Sequence, residues 1–205
     1  MKTISFFSQK GGSGKSTLTV HTAVAASESG EKVVIVDTDL QRTSTKWGET
    51  RVNDSPIVAT AAASELGVVL DAAKSEGMTF AIVDTAPHAA PDAARVARLS
   101  DLVVIPCRPT AFDLAAVDSA VEIVKANNAK AVFVLSACPF RSPETSEARS
   151  ILEAYGLPVA PVSITDRRAF ARAVATGRAV TEFEKDGKAA EEINALWTWI
   201  KEQVK

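Results

Sequence analysis

Several short runs in this chain are almost wholly apolar. Val33-Val34-Ile35-Val36 and Leu102-Val103-Val104-Ile105 show no alternation of polar and apolar side chains. A strand with one wet face alternates with period two, whereas a run without alternation is buried on both faces, as in a parallel sheet covered by helices on each side. The spacing predicts strands at Thr3–Ser8, Lys32–Asp37, Ile57–Ala59, Phe80–Asp84, Leu102–Cys107, Ala131–Ala137 and Val159–Pro161. Between them the periodicity turns helical, at 16–29, 43–51, 64–76, 89–99, 111–128, 144–155, 167–176 and 188–203. Glycine and proline stand at the joints, among them Gly30, Gly77, Pro106, Pro109 and Pro158. The alternation predicts an α/β fold: a doubly wound, mostly parallel sheet with right-handed crossovers. With no repeat or linker in 205 residues, the expectation is one domain over 1–205. Ligand sites in such sheets form at the carboxyl ends of the strands, so the residues just after each run carry the functional reading.

After the first run comes Gln9-Lys10-Gly11-Gly12-Ser13-Gly14-Lys15-Ser16-Thr17, and a helical pattern opens at once. Strand, glycine-rich loop and helix are the context of a phosphate-binding loop. Gly11, Gly12, Ser13 and Gly14 leave backbone N–H groups free to converge on an anion, and the helix aims its positive end there. Lys15 reaches the β- and γ-phosphates, and the hydroxyl of Ser16 can ligate Mg²⁺. The usual pattern needs glycine where Gln9 stands; a second lysine, Lys10, precedes two glycines instead. The second run ends in Asp37-Thr38-Asp39-Leu40-Gln41. Its two carboxylates suit one Mg²⁺–phosphate site, or one of them caps the helix near Thr43. The fourth run ends in Asp84-Thr85-Ala86-Pro87, and a carboxylate there holds Mg²⁺ in nucleotide-binding folds. His88 follows in the same loop and reads as a switch-loop or surface residue.

The loop K-G-G-x-G-K-[ST] resembles the deviant Walker A motif of the ParA/MinD superfamily of ATPases. The stretch at Asp37–Gln41 resembles its Walker A′ motif with Leu40 in place of proline, and Asp84-Thr85-x-Pro87 its Walker B. The resemblance spans the chain and implies ATP and Mg²⁺ as cofactors. Lys10, Lys15 and Asp39 would be catalytic: Lys10 would cross a dimer interface to the partner's nucleotide, and Asp39 would align the attacking water. Residues Lys10 to Thr17 would cradle the nucleotide, and Ser16, Asp37 and Asp84 would serve the metal. The segment Pro106–Leu114 resembles the family's P-x-x-P-[ST]-x-x-[DE], linked to the dimer interface and nucleotide pocket, so Asp113 is a candidate nucleotide contact. The same residues read as a helix entry, Thr110 at the N-cap and Asp113 at N3; both can hold. After the sixth run many members place asparagine or arginine to read adenine, and Ser136-Ala137-Cys138-Pro139 offers no clear counterpart.

Net charge is −2, so any nucleic-acid surface must be a local patch. Residues 167–188 hold six basic residues, Arg167, Arg168, Arg172, Arg178, Lys185 and Lys188, against three acidic ones, a local net of +3. Such a cluster grips phosphates without reading sequence, or is simply a solvated helix face. The ending resembles that of ParA proteins, which implies nonspecific duplex DNA as a ligand of the ATP-bound homodimer, with higher-order assembly and a small centromere-binding, ParB-like protein as further expectations. The chain opens on its first strand, which resembles the short ParA form without an N-terminal helix-turn-helix. The last helix presents Ile193, Leu196, Trp197, Ile200 and Val204 on one face and mixed charge on the other. That reads as packing on the sheet and not as a membrane helix of the MinD kind. Cys107 and Cys138 have no metal-ligand spacing and read as buried reduced thiols. The expected role is an ATP-dependent DNA partition ATPase, cytoplasmic and nucleoid-associated; the alternative is a positioning ATPase for a membrane site or non-DNA cargo.

Overall fold

The computed structural model describes residues 1–87 and 90–205, with Ala90 and Pro91 described in backbone only. The strands are β1 (Lys2–Phe6), β2 (Val33–Asp37), β3 (Ile57–Thr60), β4 (Phe80–Asp84), β5 (Leu102–Cys107) and β6 (Ala131–Leu135). The helices are α1 (Lys15–Glu28), α2 (Thr43–Glu49), α3 (Leu66–Ser75), α4 (Ala90–Leu99), α5 (Ala111–Ala115), α6 (Val117–Ala126), α7 (Pro143–Glu153), α8 (Arg168–Val174), α9 (Val180–Phe183) and α10 (Lys188–Gln203). The six strands form one sheet in the order β3-β2-β4-β1-β5-β6, every neighbouring pair parallel.

The unalternated runs are buried on both faces as their composition requires. Along β2, Val33 and Ile35 pack into one layer with Leu18, Val24 and the side chains of α10, while Val34 and Val36 pack into the other with Leu66 and Leu70 of α3. A third cluster lies under α6 and α7 and is built on Val103, Ile105, Phe133 and Leu135. On α10, Ile193, Leu196 and Ile200 are fully buried, and Trp197 meets Phe80 edge-on with centroids 5.0 Å apart. Each such side chain contributes about 1.5–3 kcal/mol of burial, so the apolar face of α10 is committed to the core. No helix among the described residues is long and apolar enough to cross a membrane.

The elements depart from the sequence reading in three places. Val159 makes only an isolated bridge to Phe133; Pro158 and Pro161 flank it and supply no backbone donors for a ladder. The helix expected over 111–128 is two helices meeting at Ala116. Four-residue α9 is too short to show a period; the carboxylate of Glu182 fixes its start by accepting from Ala179 N at 2.8 Å.

Candidate functional site

The register of the sheet places Phe6, Asp84 and Asp37 in one row at the carboxyl edge. The loop after Phe6 therefore rises beside both carboxylates. Gly14 is the N-cap of α1 with φ 100°, a backbone open to glycine and strained for other residues. A β-carbon there would also stand 3.5 Å from Ser136, at the end of β6. Ser136 Oγ donates to Ser13 O at 2.7 Å, so β6 braces the loop from the far side. The buried Lys15 ammonium donates to Lys10 O at 3.1 Å. Burial lowers its pKa, and the charges of Asp84 and Asp39 oppose that fall.

The acidic residues take different roles. Asp37 spends both carboxylate oxygens inside the chain. Oδ2 accepts from Thr45 N and Thr45 Oγ1, each at 2.8 Å, and Oδ1 accepts from Asp39 N at 3.1 Å. Asp84 is fully buried; its Oδ2 accepts from Ser44 Oγ at 2.6 Å, while its Oδ1 is buried with no partner among the described residues. Burial pushes its pKa up to about 6, against the hydroxyls of Ser44 and Ser16 and the ammonium of Lys15. An unsatisfied buried carboxylate oxygen beside a phosphate loop fits a Mg²⁺ ion or its bound water. Half-buried Asp39 accepts from Gln41 N at 2.9 Å, which orients its carboxyl group at the loop edge.

Lys10 is 103 residues from its partner. Its Nζ lies 2.7 Å from Oδ2 of Asp113, a carboxylate only 5% exposed. Thr110 caps α5 by accepting from Asp113 N at 3.2 Å, and its hydroxyl donates back to the Asp113 carboxylate at 2.5 Å. The helix entry and the tie to the loop coexist, and Asp113 meets the site by way of Lys10.

A cavity of about 290 Å³ adjoins the loop, between Gly12, Gly14 and Thr17 on one side and Ser136, Ile164, Thr165 and Phe170 on the other. Its size and mixed lining suit a nucleoside. Of the residues that wall it, Ile164, Thr165, Asp166 and Phe170 were not singled out as site residues in the sequence and Arg167 was assigned to DNA instead; Ser44 and Thr45 were missed as well. The hydroxyl cluster Thr43-Ser44-Thr45 just after the Asp37–Asp39 turn was the available signal. His88 lies outside the described residues.

The six basic residues of the tail separate. Arg168, Arg172, Arg178, Lys185 and Lys188 are exposed, Arg172 lying over the Phe183 ring at 5.3 Å and Lys188 pairing with Glu191 at 2.7 Å. Arg167 instead faces the cavity and binds Glu192 of α10 at 2.7 Å. This segment is joined to α2. The nearly buried Arg51, just past α2, donates to both Glu182 oxygens at 2.9 and 3.0 Å and to Gly177 O at 3.1 Å. Trp47 Nε1 donates to Arg178 O at 3.3 Å. Gly177, at φ 67°, lies so close to α2 that a β-carbon would meet Thr50 O at 2.3 Å.

The sequence profile of the CobQ/CobB/MinD/ParA nucleotide binding domain matches residues 4–180. The chain belongs to this family. Among individual relatives, it is 27% identical over 208 residues to Maintenance of carboxysome distribution protein A of Gloeobacter kilaueensis, covering 99% of this chain and 94% of that one. It is 26% identical to protein IncC of Escherichia coli, covering 98% of this chain and 69% of that one. In fold it is similar to apo McdA of Cyanothece, with TM-score 0.81 at 18% identity and full coverage of both chains. It is also similar to the cell division ATPase MinD of Pyrococcus furiosus, with TM-score 0.78 at 19% identity and 98% of each chain. These two likenesses carry the ParA/MinD fold alone.

Proposed function

We propose that this family member is a Mg²⁺-dependent ATPase that pairs with a second copy on binding ATP and, as a pair, holds duplex DNA to segregate a cargo. The observation that carries the reading is the Lys10–Asp113 contact. A lysine with a partly exposed side chain is fixed at the rim of a phosphate loop by a carboxylate that is itself nearly buried. On this reading Lys10 leaves Asp113 for the partner's nucleotide. Lys15 and the loop N–H groups bind the phosphates, Ser16 and Asp84 hold the metal, and Asp39 orients water. Asp37 fastens the turn that carries Asp39 and α2. A bound Mg²⁺ supplies charge neutralisation across the phosphates. The chemistry otherwise needs positioning and electrostatics.

The exposed cations Arg168, Arg172, Arg178, Lys185 and Lys188 form the DNA surface, and a ParB-like centromere-binding protein stimulates hydrolysis. Arg167 belongs to the nucleotide side and not to that surface. The protein then works in the cytoplasm on the nucleoid. A non-DNA cargo is the second reading, favoured by the near-full-length similarity to the carboxysome distribution protein. The test is binding to arbitrary duplex DNA with ATP, ADP and a non-hydrolysable analogue at matched salt. The expected result is binding in the ATP forms alone, its log affinity falling with log salt by about 0.9 per phosphate contacted. Equal affinity in the ADP form refutes the proposal.

A further inference from the structure

The cations around the cavity are nearly all matched to oxygen. Lys10 lies on Asp113, Lys15 donates to a loop carbonyl and Arg167 is held by Glu192. Arg108 differs. It follows the last residue of β5, is half-buried and lines the cavity, and its guanidinium makes no ion pair among the described residues. Its backbone is held in place. Cys107 before it and Pro109 after it are buried, and Arg108 O accepts from Thr110 N at 2.8 Å. Its Nη1 lies 3.8 Å from where a β-carbon on Gly12 would stand, so the guanidinium rests against the phosphate loop.

We infer that Arg108 is a further phosphate-binding residue of the nucleotide site, reaching the phosphate chain from the β5 side of the loop. This rests on the nucleotide-binding reading above. A guanidinium is always charged and presents a planar fork of N–H donors that matches two phosphate oxygens. The charge of Lys10 is offset by Asp113, so among the described residues Arg108, with Lys15, stands beside the loop without an ion pair and open to an anion. Partial burial strengthens such a contact, since less water competes for the guanidinium.

The experiment is titration of Mg²⁺–ADP and Mg²⁺–ATP into the full chain and its Arg108→Ala and Arg108→Lys variants at several salt concentrations. Loss of a charged hydrogen-bonding partner should weaken both nucleotides about ten- to a hundredfold in Arg108→Ala. The salt dependence of affinity should flatten, because one screened charge contact is gone. Arg108→Lys should keep the salt dependence while losing part of the affinity. Wild-type affinity in Arg108→Ala overturns the inference. So does weakened binding with an unchanged salt dependence, which would mark a guanidinium stacked on the base or a loop loosened for other reasons. A wild-type chain that binds neither nucleotide, and is unaffected by Lys15→Ala, overturns the nucleotide-binding reading itself and this inference with it.

Discussion

Replacing Arg51 with alanine should cost this fold about 3–5 kcal/mol, the range for breaking a buried ion pair from one side. The pair is nearly out of water, with side chains 3% and 14% exposed. The substitution removes two N–H donors from Glu182, one from Gly177 O, and the guanidinium stacked 4.6 Å over the Trp47 ring. Glu182 then keeps Asn53 Nδ2 at 2.9 Å and Ala179 N at 2.8 Å but has lost its countercharge. One term lowers the cost: Arg51 Nε is buried with no acceptor among the described residues, so the native arginine already carries a desolvation penalty. That places the expectation toward 3 kcal/mol. Denaturant unfolding of wild type, Arg51→Ala, and the double variant Arg51→Met with Glu182→Gln measures it. The double variant should be more stable than Arg51→Ala, because no charge is left buried alone. A loss under about 1 kcal/mol in Arg51→Ala would equal that of an exposed pair and would refute the argument, as would a double variant worse than the single.

The same latch sets an acid limit. Burial alone would raise the Glu182 pKa, but Arg51, the Ala179 N–H and Asn53 together hold it below its ordinary value of 4.5. The stability from this depressed carboxylate is therefore present above about pH 4.5 and is lost as pH falls through the lower folded value; Glu182→Gln should flatten that part of the pH–stability curve. Gly177→Ala should loosen α2 from the tail, since its β-carbon collides with Thr50 O. Added protease cleavage after residues 176–182 in the variant, absent in wild type, would report it. Ser136→Ala removes the brace on Ser13 O and should cost about 1 kcal/mol of stability, with ADP affinity weakened several-fold in calorimetry. Asp113→Ala frees Lys10 from its own chain. If that contact competes with pairing, the variant should dimerise at lower ATP concentration than wild type in light scattering, while Lys10→Ala should not dimerise with ATP.

What could be read along the chain was whatever one strand and its following loop decide. The apolar runs announced a two-sided sheet because burial on both faces erases alternation, and the glycines of the phosphate loop announced themselves because no other residue holds a φ of 100° at the start of α1 without strain. Pairings across the sheet were invisible. Asp37 and Asp39 are near neighbours in sequence, yet the strand ends at Asp37. One carboxylate is thereby fixed against Thr45 and the other is left half-exposed at the loop edge. Arg167 and Arg168 are adjacent, yet α8 begins between them. One side chain turns inward to Glu192 and the other outward to solvent, so a count of basic residues overstated the exposed charge. The most consequential of these pairings is carried by α2. Its Ser44 and its Thr45 bind Asp84 and Asp37. Trp47 and nearby Arg51 bind the segment bearing Arg178 and Glu182. Any ligand that changes the hydrogen bonds of the two carboxylates acts on a helix whose other side is bolted to the basic tail. The testable consequence is specific: if α2 couples the two sites, Arg51→Ala should leave ADP affinity intact yet reduce the difference in DNA affinity between the ATP and ADP forms. On the proposed DNA-binding reading, an unchanged difference would refute coupling through α2.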